Sequence, residues 1–180
     1  MRKLLDDNPL APSNIPPSDF ESAYAERPAW IAASHSAQPP EVTAYRLQFS
    51  LQQAALMHIH VSADERYRLY LDGQDIGCGP ERGSERAWFY ETYALDLAVG
   101  PHTLVALVWR LGESGPLAQV SLQGGFLLEA EGPMGSLVST KSAPWQAKSV
   151  EGIQFSLPDI ARRGAWFVEP NQTTDGAVYP

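Results

Sequence analysis

Apolar residues in this chain alternate with polar ones over short runs, the period-two signature of half-buried β-strands. Tyr45, Leu47, Phe49 and Leu51 alternate with Arg46, Gln48 and Ser50, predicting a strand over 45–51. Across 56–61, Met57, Ile59 and Val61 point one way and His58 and His60 the other. Across 67–71, Tyr67, Leu69 and Leu71 face a core while Arg66, Arg68 and Tyr70 face outward. Asp72-Gly73 then predicts a type I′ hairpin turn, which needs positive φ at both central residues. Residues 88–97 predict a strand with aromatic rings on both faces. Residues 103–109 are apolar almost throughout and predict a central strand covered on both sides. Residues 112–116 read as a loop. Runs at 118–122 and 126–130 flank Gly124-Gly125, a turn or bulge. Beyond Gly132 the pattern loosens, with short strands expected at 137–138 and 145–150 and a short helix at 158–163. Seven or more short strands with little helix predict an all-β sandwich.

The same pattern divides the chain. Residues 1–27 are rich in Pro, Ser, Asp and Asn; Leu10-Ala11-Pro12 and Ile15-Pro16-Pro17 fit neither a helix interior nor a central strand. They read as an extended arm, with one helical turn through Phe20 and Tyr24 capped by Ser18. Residues 28–150 hold the sandwich. Residues 151–180 form a C-terminal extension that packs against it or leads to a following domain. No internal repeat is visible.

Composition narrows the partners. A formal charge of −8 over 180 residues disfavours nucleic acid, whose phosphates need a basic surface. The lone cysteine, Cys78, forms no internal disulfide, which fits a reducing compartment. Met1-Arg2-Lys3 is followed by no apolar stretch, so no signal peptide is read and a cytoplasmic setting is favoured. No run approaches membrane-spanning length, so no membrane partner is expected.

One ordered set of segments carries a resemblance. Ala29-Trp30-Ile31 opens it, and Tyr45-Arg46-Leu47-Gln48-Phe49-Ser50-Leu51 follows. The closest match runs from Val61-Ser62-Ala63-Asp64-Glu65 through Arg66-Tyr67-Arg68-Leu69-Tyr70-Leu71-Asp72-Gly73 to Ile76-Gly77-Cys78-Gly79-Pro80. Then come Trp88-Phe89-Tyr90-Glu91-Thr92-Tyr93-Ala94-Leu95-Asp96-Leu97, the strand 103–109, Gly125-Phe126-Leu127-Leu128-Glu129-Ala130, and 139–146. In that order they resemble the N-terminal β-sandwich of bacterial alpha-L-rhamnosidases. This is a galactose-binding-domain-like jelly roll, shared more distantly with beta-galactosidase and beta-glucuronidase type enzymes. The resemblance covers residues 29 to about 150, and residues 151–180 match no part of it. It implies a non-catalytic accessory domain of a glycoside hydrolase, working with a following catalytic domain or holding carbohydrate. The catalytic α/α barrel of those enzymes has no counterpart here, so their acid and base carboxylates have no positions to occupy. The alternative is a stand-alone carbohydrate-binding module or lectin-like protein.

Candidate sugar contacts follow from chemistry. Trp88, Tyr90 and Tyr70 offer rings for the apolar C–H faces of a sugar, with Arg82, Arg86 and Glu91 as hydrogen-bond partners; the competing role for such rings is core filling. Glycoside hydrolysis needs two opposed carboxylates, and the closeness in sequence of Glu81, Glu85 and Glu91, or of Asp72 and Asp75, does not place two across a sugar. No catalytic residue is assigned. His58 and His60 have zinc-compatible spacing but no evident third ligand, so no metal site is assigned. Calcium held by loop carboxylates and carbonyls is ordinary for this type of sandwich, yet no Asp/Asn-rich loop stands out, and no cofactor is required. Cys78, between Gly77 and Gly79 on what reads as a tight turn, has no identifiable base beside it. The glycines at 73, 77, 79 and 83 precede a strand and not a helix, which argues against a phosphate loop.

Overall fold

The computed structural model describes residues 29–33, 38–81, 89–116, 119, 121, 124–156 and 170–178. The expected N-terminal arm, the strand at 118–122 and the short helix at 158–163 lie wholly or mostly outside these residues. Ten strands are described: β1 (Glu41–Leu51), β2 (Ala55–Asp64), β3 (Arg66–Leu71), β4 (Gln74–Gly79), β5 (Glu91–Leu97), β6 (Gly100–Arg110), β7 (Gly125–Ala130), β8 (Gln146–Ser149), β9 (Ile153–Ser156) and β10 (Asn171–Thr174). Helix among the described residues is confined to two one-turn 3-10 segments, Gly112–Ser114 and Gly135–Leu137. The protein is therefore built mostly of β-strands, in antiparallel sheets.

A five-stranded sheet has the order β4-β3-β6-β1-β8, a three-stranded one β5-β2-β7, and β9 and β10 pair by themselves. Alternation puts one face of each large sheet into a shared core. Tyr45 and Leu47 of β1, Tyr67 and Leu69 of β3, and Leu104, Ala106 and Val108 of β6 meet Met57, Ile59 and Val61 of β2, Tyr93 and Leu95 of β5, and Phe126 and Leu128 of β7. Each is at most 4% exposed, so the period-two pattern correctly marks the inward positions. The hairpin turn is also as expected: Asp72 has φ 50° and Gly73 φ 78°, the two positive values a type I′ turn demands.

Three local expectations are corrected. Leu137-Val138 is no strand; the segment is a 3-10 turn fastened by the Ser139 hydroxyl, which donates to the Gly135 carbonyl at 2.8 Å. A two-residue apolar run carries too little period to choose between strand and turn. Cys78 lies exposed within strand β4 and not on a turn. Strand β6 is central, but only its inner face is fully covered; Thr103, Val105, Leu107 and Trp109 on the other face are half-buried.

The free edge of β7 is capped. Thr140 donates its backbone N–H to Leu128 O at 2.8 Å, and Ala130 N–H reaches the Ser139 hydroxyl at 3.3 Å. At one edge of the five-stranded sheet, β4 packs through its glycines: a Cβ on Gly79 would meet Glu91 Cγ at 2.6 Å, and one on Gly77 would meet the Tyr93 ring at 2.7 Å. Bulkier residues at either position would push β4 off the core.

The hairpin is tied to the next turn by an ion pair. His102 Nε2 donates to the Ala98 carbonyl at 2.9 Å and Nδ1 to Asp72 at 2.7 Å. Both contacts favour the imidazolium and raise the His102 pKa above 6.5. Burial opposes ionisation of Asp72, but the bonds from His102 and from Thr103 N–H outweigh it and hold its pKa below 3.8. The stabilisation is present between those two values. It is lost as pH rises through the raised His102 pKa and again as pH falls through the depressed Asp72 pKa. Asp72 is 44% exposed, so solvent screening limits the worth of the pair to about 1 kcal/mol or less. Urea unfolding of His102→Gln should therefore show a deficit against the wild type at about pH 5.5 that vanishes by about pH 8.5. A deficit of equal size at both values would mean that lost packing, not charge, is responsible.

Candidate functional site

The outer face of the five-stranded sheet carries an open groove of about 240 Å³, lined by Arg66, Tyr67, Arg68, Cys78, Trp109 and Gln172. Pairing register assembles it. Arg66 lies opposite Trp109, and Arg68 lies opposite Leu107 on one side and Cys78 on the other. Residues paired across an antiparallel ladder project from the same face, so two arginines, an indole and a thiol share one surface. The Arg66 guanidinium sits 5.8 Å from the centre of the Trp109 ring, a cation–π distance. The Trp109 indole N–H donates to Gln172 Oε1 of β10 at 2.8 Å, which joins the C-terminal strand pair to this wall. Arg68 is held by Asp75 through Nε at 2.9 Å and through a second, shorter bond from its terminal nitrogen, and its guanidinium lies 6.0 Å from the Tyr70 ring. That hydrogen bond is the leading reason the Arg68 pKa is raised further.

A second polar cluster occupies the outer face of the three-stranded sheet. His58 Nδ1 and His60 Nε2 each contact one oxygen of Glu131, at 3.3 and 3.2 Å. His60 Nδ1 lies 2.9 Å from the Thr92 hydroxyl, and the Tyr90 ring stands edge-on to the His60 ring at 5.7 Å. Burial lowers the His60 pKa below 6.5 against the opposing pull of Glu131, which keeps the ring neutral near pH 7. Glu131 is thus the third group missing from the sequence reading of His58 and His60. Even so, no set of three or more His, Cys, Asp or Glu side chains among the described residues is arranged to hold a metal ion.

No protein-family model matches this chain, and no curated protein matches it. Among solved structures, it resembles native alfa-L-rhamnosidase from Aspergillus terreus. Identity is 17% and the TM-score 0.40, over 73% of this chain and 16% of that one. This chain thus spans about one sixth of the length of the rhamnosidase.

Of the sequence-derived sugar contacts, Tyr70, Tyr90 and Glu91 are among the described residues. Tyr70 is half-buried beside the groove, two positions along β3 from Arg68. Tyr90 is half-buried on the other sheet, against His60. Glu91 is 2% exposed, its Cγ beneath Gly79, which takes it away from solvent. Arg82, Arg86 and Trp88 lie outside the described residues. The sequence reading missed Arg66, Arg68, Trp109 and Gln172 as one surface. The outward positions of β3 were legible, but their partner was not, because β3 pairs with β6 across the whole of β4 and β5.

Among the described residues, no helix is long and apolar enough to cross a membrane.

Proposed function

We propose that this chain is a non-catalytic, sugar-binding-like accessory domain of the kind found in alpha-L-rhamnosidase-like glycoside hydrolases, with a galactose-binding-like jelly roll as its fold. The observation that carries this reading is the folded form of the segment that carries the resemblance. Arg66–Leu71, the Asp72-Gly73 turn and Gln74–Gly79 make one hairpin whose outward residues border the groove. An indole, arginines and an amide around a shallow opening suit a sugar, whose ring offers apolar C–H faces and a rim of hydroxyls. Asp75, a carboxylate beside the groove, is engaged by Arg68, whereas glycoside hydrolysis uses two carboxylates flanking the scissile bond. The groove also favours a second reading, a carbohydrate-binding module that acts alone.

Two measurements on the purified chain test the proposal. It should release no nitrophenol from p-nitrophenyl alpha-L-rhamnoside, and its migration should be retarded in native gels cast with heteropolysaccharide. Steady turnover that copurifies with the chain would overturn the non-catalytic reading. Unretarded migration in every polysaccharide would remove the glycan-holding role and leave packing against a catalytic domain.

A further inference from the structure

We infer that β9 and β10 form a hinged wall of the groove, which swings about Glu151-Gly152 and is latched to the five-stranded sheet by the bond between Trp109 and Gln172. The two strands make a unit of their own. Among the described residues they pair only with each other, in register from Ile153–Thr174 to Ser156–Asn171. The Asp175 N–H donates to the Gly152 carbonyl at 2.8 Å and closes the pair at its base, so both strands move together. Just before that base the chain has a backbone tie to the five-stranded sheet, where the Val150 N–H donates to the Val42 carbonyl at 2.8 Å. Glu151 and Gly152 form the turn between this tie and the pair. Gly152 holds φ 79°, a conformation that glycine adopts without steric cost.

Little holds this unit against the sandwich. Ile153 and Phe155 are half-buried, while Gln154, Ser156 and every residue of β10 are exposed. Neither strand places a residue in the shared core. A two-stranded ribbon is marginal by itself in water, so its position is set by what it touches. Among the described residues, its side-chain hydrogen bond to the five-stranded sheet is the one that the Trp109 indole N–H donates to Gln172 Oε1, at 2.8 Å. One neutral hydrogen bond shifts such an equilibrium toward the closed form by a factor of about two to ten. Swinging away exposes no core residue, so it needs far less than unfolding of the sandwich. Gln172 and Trp109 both line the groove. Each opening therefore removes one wall, widens the groove and bares the indole N–H, whatever the groove holds.

The test is ¹⁵N relaxation of the full chain by NMR, as order parameters and relaxation dispersion, on the wild type, Gln172→Ala and Trp109→Phe. In the wild type, the amides of β9 and β10 and the Trp109 indole N–H should report one opening. It should be visible as shared dispersion or as jointly lowered order parameters, while β1 and β6 stay rigid. Gln172→Ala should raise the open population about two- to tenfold. The amides of β9, the strand without the replaced residue, should follow in step. Trp109→Phe keeps a ring, loses the donor and should do the same. Should that variant unfold, Gln172→Ala still decides, because Gln172 is exposed. Strands β9 and β10 as rigid as β1 in the wild type would overturn the hinge. No response to Gln172→Ala, or one confined to Gln172, Trp109 and their sequence neighbours, would overturn the latch and leave an ordinary surface hydrogen bond. Neither result touches the glycan-holding role, which the gel migration tests separately.

Discussion

Replacing Phe126 with alanine is expected to remove about 3–5 kcal/mol of folding stability, the range for deleting a fully buried aromatic ring. Phe126 is 0% exposed. Its ring stacks on Tyr45 at 5.3 Å, meets Tyr67 edge-on at 6.5 Å and Trp145 edge-on at 5.2 Å. Tyr45 and Tyr67 belong to one sheet and Phe126 to the other, so this ring is the contact that holds the two sheets together at that level of the core. Its backbone also exchanges hydrogen bonds with Ile31, at 3.0 and 2.9 Å, which dock the N-terminal segment on β7. Three large neighbours cannot all collapse into the void, so the loss belongs toward the upper part of the range. A domain of this size has about 5–15 kcal/mol in total, and the variant would stand close to unfolding. Urea titration with a Phe126→Leu control is the measurement. Leucine should recover more than half of the loss. A deficit for alanine below about 1.5 kcal/mol would show that the aromatic cluster is not where the sheets are joined.

The second large effect is expected at Glu65, and its size depends on the replacement. Glu65 is 2% exposed, and Oε1 accepts the backbone N–H groups of Leu111 and Gly112, both at 3.0 Å. Alanine would leave two donors of the 112–115 turn without their acceptor, at about 1–3 kcal/mol for each that stays dry. A total near 2–4 kcal/mol corresponds to a melting temperature lower by roughly 5–15 °C. Glutamine keeps a carbonyl acceptor in place and removes only the charge. Burial is the main force on this carboxyl and raises its pKa above 4.5, with the two backbone N–H groups opposing. Oε2 has no hydrogen-bond partner among the described residues, so Ser121 does little to lower that pKa. A carboxyl whose folded pKa is raised stabilises the fold below pH 4.5 and loses that contribution as pH rises through the folded value. Glu65→Gln should therefore lie within about 1 kcal/mol of the wild type at pH 7 and lack this part of the pH dependence. If glutamine were as damaging as alanine, the turn would require the charge itself.

The sequence shows the strands well where their alternation is strict and the neighbouring turn is sharp. Tyr67 and Leu69 facing inward, Asp72-Gly73 reversing the chain, and Met57, Ile59 and Val61 lining one face all follow from the period of two and from the steric demands of positive φ. Leu71, at the end of the same alternation, is only half-buried, because the strand there leaves the core for the turn. The period says nothing about which strands become neighbours. Glu131 joins His58 and His60 from a position after β7, and Gln172 joins Trp109 from β10. The first juxtaposition is made by sheet order and the second by packing of the separate β9–β10 pair, neither of which local pattern encodes. Glu91 shows the remaining limit. A carboxylate beside aromatic residues reads as solvent-facing, and here the space made by Gly79 lets β4 close over it.

The order of the strands also sets the tempo of folding. β1 meets β6 from Leu51–Gly100 to Glu41–Arg110, β2 meets β5 and β7, and β8 returns to β1; all of these join segments far apart along the chain. Such pairings must first close long loops, which places folding in the millisecond-to-second regime of non-local β-proteins. The β3–β4 hairpin differs, because its strands are separated by Asp72-Gly73 alone, and hairpins of that kind form in about 1–10 μs. The strand that carries Arg66 and Arg68 is thus the first that local chemistry can shape. The ring of Trp109, on β6, reaches it only when the slow steps are done.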